Sequence, residues 1–247
     1  HGMLNLREHT RPGIRAMLQV AGIEEAPKTV RDMSFSLGPR INAAGRVGHA
    51  LTAAKLLMAN DEGRALELAS QLETMNQARR DIDEDLTVEA IALMVEQPPG
   101  RSCTIVHGEG WHRGVLGIVA SRLVEQRYCP TIVLSEENEV LTGSARSVPG
   151  IDIHDAFEKC RHLIEQFGGH PMAAGLTIRK ENMDAFTTEL NAAIAAQTEG
   201  NIPKPTVSFH MPINLNELNP TMYKEFERLG PFGPCNEVPV FMAEGVV

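Results

Sequence analysis

Through the first hundred positions apolar residues recur at three- and four-residue intervals, the spacing of one helix face, and beyond them the pattern changes to short apolar runs punctuated by turn residues. A first helix is predicted over Arg11–Gly22, with Pro12 in its opening turn and Gly22 as its stop. Residues 32–46 carry Gly, Pro and Asn and read as irregular. Helical spacing returns from Ala50 to Asn60, then runs from Glu62 to Gln97 with no proline and a glycine only at its start. A continuous helix there would reach ~50 Å, more than most helices inside one domain, so it reads as a connecting strut.

Pro98-Pro99-Gly100 ends the strut. Strands are predicted near Cys103–His107, Thr131–Ser135, Val140–Ala145 and Met172–Ile178, and helices near Val115–Gln126, Ile153–Gln166 and Asn182–Ala196. This alternation implies an α/β sheet covered by helices. Gln197–Pro205, polar with two prolines, is a linker. Thr206–Pro212, a short helix near Pro220–Leu229 and a strand near Val240–Val247 open a third unit, too short to close a barrel alone.

The 247 residues, 43% of them hydrophobic, suffice for a real core and make wholesale disorder a poor description. With 23 Lys+Arg against 32 Asp+Glu the net charge is −9, which argues against coating nucleic acid by global charge but leaves room for a local basic groove. Residues 61–100 hold ten acidic and three basic side chains, so most of that charge sits on the strut and reads as a solvated helix face. Cys103, Cys129, Cys160 and Cys235 are scattered, with neither zinc nor disulfide spacing, which fits a reducing cytoplasm. No apolar run approaches the ~20 residues of a membrane span, and no secretory signal is present. His1-Gly2-Met3 reads as a cut through a longer chain, and Val246-Val247 as a stop within a strand.

Four clusters could carry chemistry. Pro39-Arg40-Ile-Asn42-Ala-Ala-Gly45-Arg46 sets two guanidinium forks among small residues, against the acidic trend of the chain, and suits phosphate oxygens. The competing reading pairs these arginines with the acidic strut. Gly110-Trp111-His112-Arg113-Gly114 precedes a predicted helix N-terminus, where His112 and Arg113 could complete an anion site; Trp111 is either a base-stacking platform or a core plug. Gly143-Ser144-Ala145-Arg146-Ser147 could cradle a terminal phosphate or simply turn at a strand end. Phe167-Gly168-Gly169-His170-Pro171 reads as a loop whose glycines let a ligand approach the backbone, with His170 as donor or as a capping histidine. No D-x-D, D-H-H or H-x-x-x-H arrangement is present, and Asp81, Asp83 and Asp85 diverge on a helix. Neither a G-x-S-x-G elbow nor a P-loop occurs.

Taken in order, Gly38-Pro-Arg-Ile-Asn-Ala-Ala-Gly-Arg46, Asn76-Gln-Ala-Arg-Arg80, Trp111–Arg122, Gly143–Ser147, Phe167–Gly175 and Pro231-Phe-Gly233 resemble the RecJ family, single-strand-specific DNA exonucleases of the DHH phosphoesterase superfamily. The resemblance implies that residues 1–60 are the tail of a DHH domain, 61–98 a long connecting helix, 99–197 a mixed α/β DHH-associated domain, and 206–247 the start of an incomplete OB-fold. It implies stepwise 5′ to 3′ hydrolysis of single-stranded DNA in repair and recombination. Mn²⁺ or Mg²⁺ would be held by ligands upstream of this chain, with none expected within it, and a helicase and a single-strand-binding protein are implied partners.

By the same resemblance Arg40, Asn42 and Arg46 would contact the strand, and Ser144, Arg146 and Ser147 would grip the 5′ phosphate. Gly168, Gly169 and His170 would face the scissile phosphate, and His112 would join that pocket. The sequence departs from the pattern at Cys235, where a second glycine is expected, and at Glu237-Val238-Pro239. An oligoribonuclease or cyclic-dinucleotide phosphodiesterase of the same superfamily is disfavoured by Phe167 in place of a further glycine and by the Arg40–Arg46 segment. A module that binds nucleic acid without cutting it remains the alternative from another class.

Overall fold

The computed structural model describes residues 11–23, 30, 33–98, 100–233 and 235–245. Arg31, Pro99 and the strand end at Val246–Val247 lie outside the described residues. The chain divides into two compact units, one of His1–Ala44, Ala50–Thr74 and Thr206–Val247, the other of Gly45–His49 and Met75–Pro205.

In the first unit, α1 (Pro12–Val20) starts on proline and ends before Gly22, whose φ of 71° suits glycine. A π-turn at Met33–Leu37 runs into α2 (Gly38–Val47). The segment expected to be irregular is therefore largely helical. Gly38 and Pro39 occupy the first turn of α2, where proline needs no N–H partner, and Ala43 and Ala44 are fully buried. Next come α3 (Ala50–Leu57) and the first turns of α4 (Glu62–Val95), whose Ala65, Leu68, Ala69 and Leu72 form a buried stripe at helical spacing. The C-terminal segment holds a two-stranded parallel pair, β6 (Met211–Pro212) and β7 (Phe241–Met242), with α8 (Pro220–Glu227) between them in sequence. Phe226 packs against Phe241 at 5.1 Å between ring centres. Cys235, where a glycine was expected, has φ of 65°, so the turn retains a conformation that glycine adopts at least cost.

The second unit is built on five strands: β1 (Thr104–Glu109), β2 (Thr131–Glu137), β3 (Val140–Arg146), β4 (Ile164–His170) and β5 (Ala173–Arg179), in spatial order β1-β2-β3-β5-β4. Only β1 and β2 run parallel, and α5 (Leu116–Gln126) makes their crossover. The other neighbours are antiparallel. Helices α6 (Ile153–Lys159) and α7 (Met183–Gln197) contribute Phe157, Phe186, Leu190 and Ile194 to a core with Ile132, Leu134, Leu141, Leu176 and Ile178. The opposite face of β1 and β2, carrying Val106 and Val133, packs against α5 and against Leu86, Ala90 and Met94 of α4. Ile132, Val133 and Leu134 are thus buried on both sides, hence their unbroken apolar run.

Two further expectations need correction. The helix predicted to Gln166 stops at Lys159, and after a 3₁₀ turn at Arg161–Leu163 the chain enters β4. The cause is tertiary: Ile164 and Phe167 meet the core by pairing with β5, which helical periodicity cannot reveal. Helices also cover only one face of the sheet and part of the other.

Phe157 is fully buried, with Phe167 and Phe186 each 6.0 Å from its ring centre. Phe157→Ala should destabilise the second unit by about 3–5 kcal/mol, read as a lowered denaturant midpoint.

Candidate nucleic-acid interface

Alternate residues of a strand point to opposite faces, so the pairing register decides what shares the uncovered part of the sheet. Arg146 is opposite Ala173, which is opposite His170; Ser144 is opposite Gly175, which is opposite Gly168; Thr142 is opposite Thr177, which is opposite Gln166. These three rows form a shelf across β3, β5 and β4, and β5 holds β3 and β4 about 10 Å apart. A groove of about 370 Å³ lies over the second and third rows, with Gly168 and Gly175 as its floor and Thr142, Thr177 and Gln166 along it. The hydroxyls of Thr142 and Thr177 lie 3.2 Å apart.

Gly168, Gly169 and His170 are strand residues, not a loop between helix and strand. Gly169 has φ of 146°, and a Cβ there would lie 2.4 Å from the Ala173 carbonyl oxygen, so the close β4–β5 hairpin requires glycine. His170 is exposed at the strand end. Ser144 and Arg146 also sit within a strand, but Ser147 does not present its hydroxyl to a ligand. It is buried, and its Oγ donates to the Ile151 carbonyl at 2.7 Å, closing the loop before α6.

The Arg146 guanidinium lies against the first turn of α5. A Cβ on Gly117 would be 2.6 Å from Arg146 Nη2 and 3.3 Å from Ser144 Oγ, so the missing side chain makes the room. Burial holds the Arg146 guanidinium below its ordinary pKa, and the charge of Arg46 acts in the same direction. Arg46 donates from Nη1 to the Gly114 carbonyl at 2.9 Å. Among the described residues neither Arg46 nor Arg146 is in an ion pair with a carboxylate. Gly114 in turn donates its N–H to His112 Nδ1 at 3.1 Å, which leaves the proton of the neutral ring on Nε2. Arg113 is taken up by Glu137 at 3.0 Å. Trp111 is only 7% exposed and packs with Val106 and Val115, which makes it a core plug.

The second unit therefore gathers Arg46, His112, Ser144, Arg146, Gly168, Gly169 and His170. Arg40 and Asn42 belong to the first. Arg40 donates from Nε to Glu73 on α4 and from Nη1 to the Ser36 carbonyl, the strut pairing anticipated as its alternative. Asn42 is exposed.

Sequence reasoning missed a polar group on α4. Asn76 and Asp83 are buried, Arg79 links them, and Arg122 of α5 reaches Asp83. The signal was there: positions 76, 83 and 90 are a heptad apart and continue the stripe of Leu72, Leu86 and Met94. The acidic run is thus not solvated throughout.

Two guanidiniums without carboxylate partners among the described residues, a serine hydroxyl and a side-chain-poor shelf offer an anion positive charge, a hydroxyl donor and open space. Among the described residues no three His, Cys, Asp or Glu side chains are grouped to hold a metal ion, so these residues do not fit a divalent cation. No described helix is long and apolar enough to cross a membrane.

This mixed sheet with its long leading helix defines a protein of the DHHA1-domain class, the DHHA1 domain matching residues 92–196 and a RecJ OB domain matching residues 209–247. The chain belongs to the RecJ family. It is 35% identical to the single-stranded-DNA-specific exonuclease RecJ of Bacillus subtilis over 100% of this chain and 32% of that protein. Identity to the RecJ of Haemophilus influenzae is also 35%, over 98% of this chain and 44% of the relative. The crystal structure of Thermus thermophilus RecJ with Mg²⁺ superposes with a TM-score of 0.84 at 26% identity, covering 97% of this chain and 37% of that one. A manganese-bound exonuclease RecJ superposes with a TM-score of 0.68 at 27% identity, over 78% and 48%. The chain spans from about a third to under half the length of these relatives.

Gly117→Ala should push the Arg146 guanidinium aside and weaken capture of a 5′-phosphorylated oligonucleotide by about tenfold, the loss of one charged hydrogen bond. Titration would measure it, with the melting midpoint little changed because alanine favours the helix.

Proposed function

We propose that this chain is the strand-holding part of a cytoplasmic RecJ-type exonuclease that degrades single-stranded DNA from its 5′ end in repair and recombination. The observation that carries the reading is the pair Arg46 and Arg146, free of carboxylates among the described residues and set beside Ser144 at one end of the shelf. Their charge would receive the terminal 5′ phosphate, with Ser144 adding a hydroxyl donor and Ser147 acting from behind by fixing the loop. The groove over Gly168 and Gly175 gives room for the terminal nucleoside. His170, across β5 from Arg146, would donate to an oxygen of the scissile phosphate, and Gly169 would let that phosphate approach the backbone. His112 would add a donor through Nε2.

Arg40 and Asn42 would contact the strand from the first unit, Arg40 with its charge largely offset by Glu73. Contacts to phosphate carry no base information, which suits an enzyme indifferent to sequence. The division proposed is residues 1–60 as DHH tail, 61–98 as connecting helix, 99–197 as DHH-associated domain and 206–247 as OB start. Ions of the kind named for the related structures, Mg²⁺ and Mn²⁺, would be held by ligands in a part of RecJ to which these residues do not correspond. A helicase and a single-strand-binding protein are the partners this role would call for.

Incubated with Mn²⁺, the 247-residue chain should leave a 5′-phosphorylated single strand intact on a denaturing gel; turnover would place the cutting centre within it. Binding should nevertheless weaken as salt rises. Arg146→Ala should reduce the slope of log K against log salt by about 0.7, one phosphate contact, and Arg40→Ala should change it less. Equal slopes for wild type and Arg146→Ala would remove Arg146 from the site.

A further inference from the structure

The polar group on α4 has no part in the function proposed above, and it is built at considerable cost. Asp83 is fully buried, and its Oδ2 receives Arg79 Nη1 at 3.4 Å and Arg122 Nη2 at 2.8 Å. Oδ1 is buried without a hydrogen-bond partner among the described residues. Arg79 also donates to Asn76 Oδ1 at 2.9 Å, and Thr87 Oγ1 donates to the Asp83 carbonyl at 2.6 Å. A buried carboxylate with half its acceptor capacity unused is a poor device for stability alone. Burial pushes its pKa up, against the pull of Arg122, Arg79 and Arg46.

The surroundings say what the carboxylate holds. Arg122 lies on α5, the helix whose Gly117 makes room for Arg146 and whose preceding Gly114 carbonyl receives Arg46. Arg46 is near enough for its charge to be felt at Asp83, at Arg79 and at Arg146. In the set of charges felt at Arg79, among the described residues, Asp83 is the one anion and Arg80, Arg46 and Arg122 are cations. Without it these guanidiniums would repel one another and α5 would lose its charged tie to α4.

We propose that Asp83 is a positioning residue for the phosphate site: by gathering Arg79 and Arg122 it fixes α5 on α4, and thereby sets the places of Arg146 and Arg46. The inference rests on the phosphate reading of that site. A carboxylate that only screened charge would affect every nucleic-acid end alike, whereas one that sets geometry affects the end that carries the phosphate.

The experiment measures dissociation constants of the 247-residue chain for one oligonucleotide with either a 5′ phosphate or a 5′ hydroxyl, in wild type, Asp83→Asn, Arg122→Ala, Arg122→Lys and Arg146→Ala. Asp83→Asn and Arg122→Ala should each cut the preference for the phosphorylated end by about tenfold, with binding of the hydroxyl end changed by less than about threefold. Arg122→Lys, which keeps the charge and one N–H donor, should recover most of the preference. Arg122 is 46% exposed at its side chain, so its truncation keeps the test open if Asp83→Asn fails to fold. A preference lost in Arg146→Ala but unchanged in folded Arg122→Ala overturns the positioning role alone. A uniform rise in affinity for both ends in Asp83→Asn also overturns it, in favour of screening. A wild-type chain that binds both ends equally overturns the phosphate reading and this inference with it.

Discussion

Parallel pairing of β1 with β2 demands a crossover, and the helix that provides it, α5, must lie on one face of the sheet. The remaining neighbours are antiparallel, and β2–β3 and β4–β5 are joined by tight hairpins that need no helix. Helices α6 and α7 cover the opposite face, so α5, aided by α4, is left to cover its own side. One helix spans two or three strands at 4.8 Å spacing, since its own diameter is about 10 Å. The far strands β5 and β4 stay open on that side. The shelf is thus a consequence of strand order, and its small and polar residues are those that an uncovered sheet face tolerates.

The same packing explains how an acidic chain presents a basic site. Of the net −9, much lies on α4, yet the α4 face that meets α5 carries, beside its apolar residues, the polar group of Asn76, Arg79 and Asp83, where the two guanidiniums of Arg79 and Arg122 pair with one carboxylate. Total charge sets solubility and long-range steering; what a ligand meets within a Debye length of ~8 Å is the local arrangement. At Arg46 and Arg146 that arrangement is cationic, and Gly117 allows the second of them to lie beside a helix end instead of extending into water.

Much of this was legible in the chain and some was not, for identifiable reasons. The long helix could be read because Leu68, Leu72, Leu86 and Met94 repeat at helical spacing over many turns without an interrupting proline. Strand β2 could be read because it opens on an apolar run, Ile132-Val-Leu134, that follows the turn residue Pro130. β4 could not: Ile164-Glu-Gln-Phe-Gly-Gly-His170 has few apolar residues and becomes a strand by pairing with β5. Nor could α2, whose Gly38, Pro39 and Asn42 are poor helix formers carried by the burial of Ala43 and Ala44. Among site residues, the resemblance set Arg46 with Arg40 and Asn42, and its place beside Arg146 came only from the fold, which puts Arg40 and Asn42 in the other unit. Ser147 looked equivalent to Ser144, but strand alternation and the Ile151 carbonyl turn it inward. Asp83 was passed over because charge on a long helix usually faces water, and only the partner helix decides otherwise.

A hydrogen-bonded strand is also a ruler. Arg146 and His170 are both opposite Ala173, so their strands are held at two interstrand spacings, about 10 Å, by the backbone ladder of β5 and not by side-chain flexibility. A polynucleotide end bound by its terminal phosphate at Arg146 would therefore meet His170 at a fixed point along its backbone, whatever its base sequence. The stepwise removal of nucleotides proposed above would call for such a fixed interval between the grip on the end and the bond to be cut. Loops could present the same side chains but would let that interval vary, whereas here both groups stand on strands bonded to the same central strand, β5. Gly169, with its φ of 146° and no space for a Cβ, is the point at which the ruler is kept tight.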